Sequence, residues 1–265
     1  MKLIAAIDDS PVAQPVLDTA LVIGNLLGLD IEAVHVTNHG GLSASGAARS
    51  AGLPMRQLNG NTVDALVDVL EDPDVAIGVV GARGHAGGPH PAGHATLAMV
   101  QRSGTPLVVV PPELCRPASQ RMTRVLVPLD GSPDTTAAVQ GVVKGFSEAG
   151  VEVVMLHVFT RETVPRFIDQ TQHGLDAWAD EFTARHEIDC PRLVTRSGSP
   201  GQAVIRLAIA EDVDLIVIGW SRDLSPGRAQ VVTEVLAQSC VPVLLVPVNA
   251  RRRPDDERPS TRTTT

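Results

Sequence analysis

The sequence predicts an α/β protein made of two tandem, doubly wound parallel sheets. Two observations predict it. Apolar, β-branched runs without polar alternation recur between amphipathic helical stretches, and the whole series of runs occurs twice. Continuous apolar runs are what the strands of a parallel sheet need when both faces are covered. Their alternation with helices implies right-handed βαβ units and an open sheet.

In the first half the runs at 3–7, 31–36, 75–80 and 107–110 predict strands, with a weaker strand at 53–58. Helical spacing predicts helices over 13–27, 63–70 and 95–102. The second half predicts strands at 124–129, 152–159, 192–195, 215–218 and 243–246. It also predicts an extra helix over 175–186, where Leu175, Trp178, Ala179 and Phe182 fall on one helical face. The corresponding stretch of the first half, GGLSASGAARSAG, reads as loop because it is rich in glycine and serine.

The repeat is explicit in the residues. LIAAIDDS at 3–10 returns as VLVPLDGS at 125–132, and AVHV at 33–36 as MLHV at 155–158. GNTVDALVDVL from Gly60 returns as GSPGQAVIRLA from Gly198. VAIGVVGARG at 75–84 returns as VDLIVIGWSR at 213–222, and TPLVVVP at 105–111 as VPVLLVP at 241–247. A repeat this long is one unit duplicated. The spacing between equivalents is 122 at Asp8 and Asp130, 138 at Gly81 and Gly219, and 136 at Pro106 and Pro242. The second copy is therefore longer between its second and third strands and shorter before its last strand. These spacings predict a first domain at 1–111, a linker at 112–123 and a second domain at 124–248. The polar tail at 249–265 has too few apolar residues to join a core, which predicts disorder.

Composition narrows the function classes. Aromatics are scarce (four Phe, two Trp, no Tyr) and the net charge is −8, which argues against a nucleic-acid surface. No apolar run approaches the roughly 20 residues of a membrane span. The opening MKLIAAIDDS has too short an apolar run for a signal peptide. Cys115, Cys190 and Cys240 are far apart and suggest neither a metal site nor a disulfide. Together these predict a cytoplasmic protein with no nucleic-acid or membrane partner.

Open α/β sheets bind ligands outside the carboxyl ends of their strands, at the switch point. In the first copy Asp8, Val36, Gly81-Ala82-Arg83-Gly84 and Gly93-His94 all fall there. Glycines let the backbone approach a phosphate, and the first N–H groups of the next helix face the anion. An acid at strand one suits a ribose hydroxyl or a base amino group. With only two lysines and no GxxxxGK[ST], this is a mononucleotide site without a Walker loop.

These residues resemble the universal stress protein family over nearly the whole chain except linker and tail. The family's mark is G-x2-G-x9-G-[ST] after strand four, with an Asp ending strand one. Here Gly81 and Gly84 match, eight residues intervene before Gly93, and His94 stands where the family has Ser or Thr. The second copy has Gly219, then Arg222 and Ala229-Gln230, with only six residues between 222 and 229. The resemblance implies Rossmann-like domains and a stress-response regulator. It implies ATP, or alternatively AMP or ADP, with Mg as a phosphate counterion, bound in the first copy through Asp8, Val36, Gly81, Gly84, Gly93 and His94. The shortened second loop predicts no nucleotide there. The resemblance also implies pairing of the final strands, here as an intramolecular pseudo-dimer, with a homodimer or an unidentified protein partner beyond it. The alternative is a scaffold that works through dimerisation and surfaces without nucleotide.

Other residues have plainer readings. Ser10 and Ser132 precede proline, which predicts helix capping. His35 and His157 read as packed structural histidines. His85, His90 and His94 lack the spacing of a metal site. No nucleophile–base constellation or paired carboxylates stand out, so at most a slow ATPase is expected.

Overall fold

The computed structural model describes residues 1–10, 12–37, 42–83, 92–116, 121–161, 164, 172–186, 192–225 and 229–248. The first half runs β1 (Lys2–Ala6), α1 (Ala13–Leu27), β2 (Asp30–Thr37), α2 (Leu42–Ser50), β3 (Met55–Asn59), α3 (Thr62–Leu70), β4 (Val75–Gly81), α4 (His94–Arg102) and β5 (Leu107–Val110). The second half runs β6 (Arg124–Leu129), α5 (Pro133–Glu148), β7 (Glu152–Phe159), α6 (Gln172–His186), β8 (Arg192–Ser197), α7 (Pro200–Ala210), β9 (Leu215–Trp220), α8 (Gln230–Gln238) and β10 (Val243–Pro247). The α/β class and the doubly wound, mostly parallel arrangement are as the apolar runs predict.

The two halves do not remain separate sheets. They merge into one ten-stranded sheet of order β3-β2-β1-β4-β5-β10-β9-β6-β7-β8. Pairing is parallel throughout except at the centre, where β5 and β10 run antiparallel with Val243 opposite Val109 and Leu245 opposite Leu107. All of β5 is buried. A flat apolar strand left at a sheet edge invites aggregation; here each such strand covers the other. This is the predicted pseudo-dimer contact, made inside one chain.

Alternation along the strands divides the core into two layers. Ile4, Val34, Val36, Val80 and Val109 pack on one face with the helices α3, α4, α7 and α8. Leu3, Ala5, Ala33, Val79 and Val108 pack on the other with α1 and α5. Successive strand residues point to opposite faces, so a continuous apolar run fills both layers.

Two expectations need correction. The stretch read as loop at 42–50 is the helix α2. Its apolar face is made of alanine, with Ala44 and Ala48 fully buried four residues apart. The carboxylate of Asp9 accepts the Ala44 N–H at 2.8 Å, which satisfies one donor of its first turn. Large apolar residues are absent, so periodicity gave little sign of it.

The second correction concerns the cysteines. Cys115 and Cys240 form a disulfide, with Cα atoms 5.0 Å apart. They are 125 residues apart in sequence, but antiparallel β5 and β10 bring the segment after one strand beside the segment before the other. The Cys115 N–H also donates to the Cys240 carbonyl at 2.9 Å. Compartment therefore cannot be read from cysteine spacing in this chain. Among the described residues no helix is long and apolar enough to cross a membrane. The tail at 249–265, Cys190, His85 and His90 lie outside the described residues.

Candidate functional site

Each half forms a cleft at the carboxyl ends of its strands, where the sheet topology reverses. The first is about 370 Å³ and is lined by Asp8, Val36, Gly81, Arg83, Gly93 and His94 among others. Five of the six residues singled out in the sequence thus meet at one cleft; the sixth, Gly84, lies outside the described residues.

The β1–α1 turn sets the acid end. Asp8 accepts from the Ser10 N–H at 3.0 Å and from the Ser10 hydroxyl. The neighbouring Asp9 turns to the first turn of α2 instead, so Asp8 is the carboxylate the cleft receives. Ser132 caps α5 as predicted, accepting the Thr135 N–H at 3.2 Å. Ser10 departs from expectation. As an acceptor its hydroxyl takes the Val12 N–H at 3.3 Å, and α1 begins after Val12 without a side-chain cap.

The other end is set by the seating of α4 on β4. The Gly93 N–H donates to the Ala82 carbonyl at 2.7 Å, and the Thr96 hydroxyl donates to the Gly81 carbonyl at 2.8 Å. Gly93 is the N-cap of α4 and, as a glycine, has no side chain to cap it. Among the described residues, a Cβ added at Gly93 would meet the Ala82 carbonyl at 3.5 Å and the Arg83 Cα at 4.0 Å, both ordinary contacts. Packing therefore does not demand glycine here, and its φ of −65° imposes no strain. Gly81 differs: an added Cβ would lie 3.1 Å from the Val12 side chain.

His35 and His157 take the structural roles predicted for them. Each is buried, and each Nδ1 lies 3.0 Å from a strand-end carbonyl, of Ile7 and Leu129 respectively. A carbonyl only accepts, so Nδ1 carries the proton in both rings.

The second cleft is larger, about 760 Å³, and is lined by Asp130, Val158, Trp220, Ser221 and Gln230 among others. Its shortened loop leaves Arg222 at φ 62° and Ala229 at φ 47°, left-handed conformations that favour glycine. The decisive difference is charge. By the repeat spacing Arg83 corresponds to Ser221, and His94 to Gln230. Two basic residues line the first cleft and two neutral ones the same places in the second. The sequence motif contains Arg83 without marking it as a cleft residue; the signal was available in its alignment with Ser221.

Far from both clefts, at the opposite end of the strands, Arg192 binds Glu211 through two hydrogen bonds of 2.9 and 2.8 Å. These bonds hold the Glu211 carboxyl below its ordinary range and raise the Arg192 guanidinium further. Among the described residues no cluster of His, Cys, Asp or Glu could hold a metal.

This architecture, two doubly wound units joined through their last strands, is found in solved structures of similar length. A functionally unknown protein from Pseudomonas aeruginosa PAO1 matches at 12% identity and TM-score 0.69, covering 93% of this chain and 92% of that one. A putative universal stress protein from Pseudomonas aeruginosa UCBPP-PA14 matches at 13% identity and TM-score 0.69 with the same coverage. A universal stress protein from Archaeoglobus fulgidus DSM 4304 matches at 16% identity and TM-score 0.67, covering 94% and 98%. At such identities the likeness concerns the fold. No curated protein matches the chain. The family model described as "Universal stress protein family" matches residues 122–247. The second repeat belongs to the universal stress protein family, and the first repeats its fold.

Proposed function

We propose that this chain is a nucleotide-responsive regulator that binds one adenine nucleotide, ATP, in the first cleft. The observation that supports this reading best is the polarity of that cleft. Asp8 follows β1, and Arg83 and His94 flank the β4–α4 connection, so the lining joins one carboxylate with two nitrogen donors. An adenine nucleotide has the complementary polarity, with hydroxyl and amino donors at one end and phosphates at the other.

In this reading Asp8 accepts from the ribose hydroxyls, and Val36 lies along the base. The phosphates meet the first turn of α4, where the helix dipole favours an anion. Gly93 lets them approach the backbone. Arg83 supplies a fork of donors suited to phosphate oxygens, and His94 a further donor in place of a hydroxyl. A Mg ion would arrive with the nucleotide and neutralise part of its charge.

Calorimetric titration of the whole chain with ATP, ADP and AMP tests the proposal. One saturable site is expected, weakened by Asp8→Asn and Arg83→Ser. If none of the three nucleotides binds at millimolar concentration, the alternative stands: a scaffold acting through its surfaces.

A further inference from the structure

We propose that the second cleft is a separate ligand site, which takes an uncharged, nucleoside-sized molecule bearing a ring and hydroxyl donors, and refuses phosphorylated ones. At about 760 Å³ this cleft has roughly twice the volume of its counterpart. Its walls include Leu156, Val158, Ile218 and Val232, with the buried indole of Trp220 where the first repeat has Ala82. Such walls suit the flat apolar body of a ring.

The polar groups of the cleft select against an anion. Asp130 and Asp134 both line it, and no lysine, arginine or histidine other than the buried His157 does so among its described lining residues. One oxygen of Asp130 accepts the Ser132 N–H at 2.9 Å, while the other meets only the Thr135 hydroxyl at 3.5 Å. An ionised carboxylate has about four acceptor positions, so Asp130 has capacity left for hydroxyl donors. Thr160, Ser221 and Gln230 add neutral partners. A phosphate placed here would face two carboxylates without the Arg83 and His94 equivalents that the first cleft provides. Like-charge juxtaposition in a partly desolvated site opposes binding.

The test uses a property of the chain itself. Its two tryptophans, Trp178 and Trp220, both lie in the second repeat, and Trp220 lines the cleft. Tryptophan fluorescence therefore reports occupancy of the second site and is blind to the first. The probes are adenosine and ATP, which differ only in the phosphates. Adenosine is expected to change the emission saturably, with a dissociation constant on the order of 0.1–1 mM, and ATP to cause no saturable change over that range. Asp130→Asn should weaken adenosine at least roughly tenfold, while Asp8→Asn leaves it unchanged. The double variant Ser221→Arg, Gln230→His, at two exposed positions, should create a response to ATP. Absence of an adenosine response, an equal response to ATP in the unmodified chain, or indifference to Asp130→Asn would overturn the proposal. Each result stands apart from the calorimetric test of the first cleft, since that cleft contains no tryptophan.

Discussion

The two repeats keep the same scaffold and diverge at the same end of it. Strand order, the acid after the first strand and the histidine bonded to a strand-end carbonyl are common to both. The loop before the last helix is where they part. The first repeat has Arg83, Gly93 and His94 there; the second has Ser221, Ala229 and Gln230. Duplication left the parts that hold the sheet together under one set of physical demands in both copies. The cleft residues, which meet solvent or ligand, were free to change charge.

The comparison can be broken first at the glycines that end the fourth strand of each repeat. Gly81 and Gly219 are equivalent, yet their surroundings differ. A Cβ at Gly219 would lie 2.9 Å from the Thr135 methyl, 3.1 Å from the Thr135 carbonyl and 3.3 Å from Val139. At Gly81 only the Val12 methyl is close, at 3.1 Å. A methyl can move; a helix carbonyl cannot move alone. Gly219→Ala should destabilise by about 2–3 kcal/mol, and Gly81→Ala by roughly 1 kcal/mol. Urea denaturation of both variants checks the ranking, and equal losses would show that the helices sit equally close in the two repeats.

The disulfide should have an effect of comparable size. It ties the segment between the repeats to the start of β10, closing a loop of 125 residues. Cys240→Ser should cost about 2–4 kcal/mol. Because the bond lies beside the β5–β10 junction, the loss should appear in a transition common to both repeats. Two separated transitions would mean that the repeats unfold independently.

Arg83→Ser gives the first cleft the residue of the second. It should lower ATP affinity by roughly 10–150-fold, the range for a lost hydrogen bond to a charged group. Gly93→Ala should leave stability within about 0.5 kcal/mol, because its surroundings accept a Cβ, yet weaken ATP by obstructing its approach. Stability and affinity thus separate at Gly93 and not at Gly81, and paired melting and titration measurements on the two variants would reveal it.

The sequence showed most of this where one residue's own chemistry was enough. Strands such as 124–129 and 152–159 appear with the bounds their apolar runs predict, because burial on both faces admits few other residues. The cleft residues Asp8, Gly81, Gly93 and His94 were legible because the repeat fixes them at strand ends. Helix α2 was not, since alanine spacing carries a weak amphipathic signal. The disulfide was not, since its partners meet only through a strand pairing between the two halves. Nor was the second cleft: the shorter loop predicts only the loss of a nucleotide site, and the space left depends on how the chain turns at Arg222 and Ala229.

The smallest expected effect is at the far end of the sheet, and it concerns pH. In the second repeat Arg192 forks onto Glu211 and also lies 3.6 Å from Glu152, which Arg124 binds at 2.6 Å. The first repeat has a sparser arrangement there, with Glu32 at 3.1 Å from Arg56 and 3.9 Å from Lys2. Glu211 is held below its ordinary range by Arg192, so the folded chain binds its proton less readily than the unfolded chain. Its stabilisation is complete above the ordinary glutamate value of about 4.3 and is lost as pH falls through the lowered one. The raised Arg192 adds nothing on the alkaline side at working pH, because arginine stays charged in both states. Glu211→Gln should therefore be slightly less stable than the unmodified chain at pH 7, and the two should converge as pH falls below about 4. The pair is only partly buried, with 41% of the Arg192 and 22% of the Glu211 side chain exposed, so salt should shrink the difference as well. Denaturation of the two proteins at pH 7 and pH 3, at low and high salt, measures this. A difference that persists at pH 3 would assign the effect of Glu211 to packing at the end of α7 rather than to its charge.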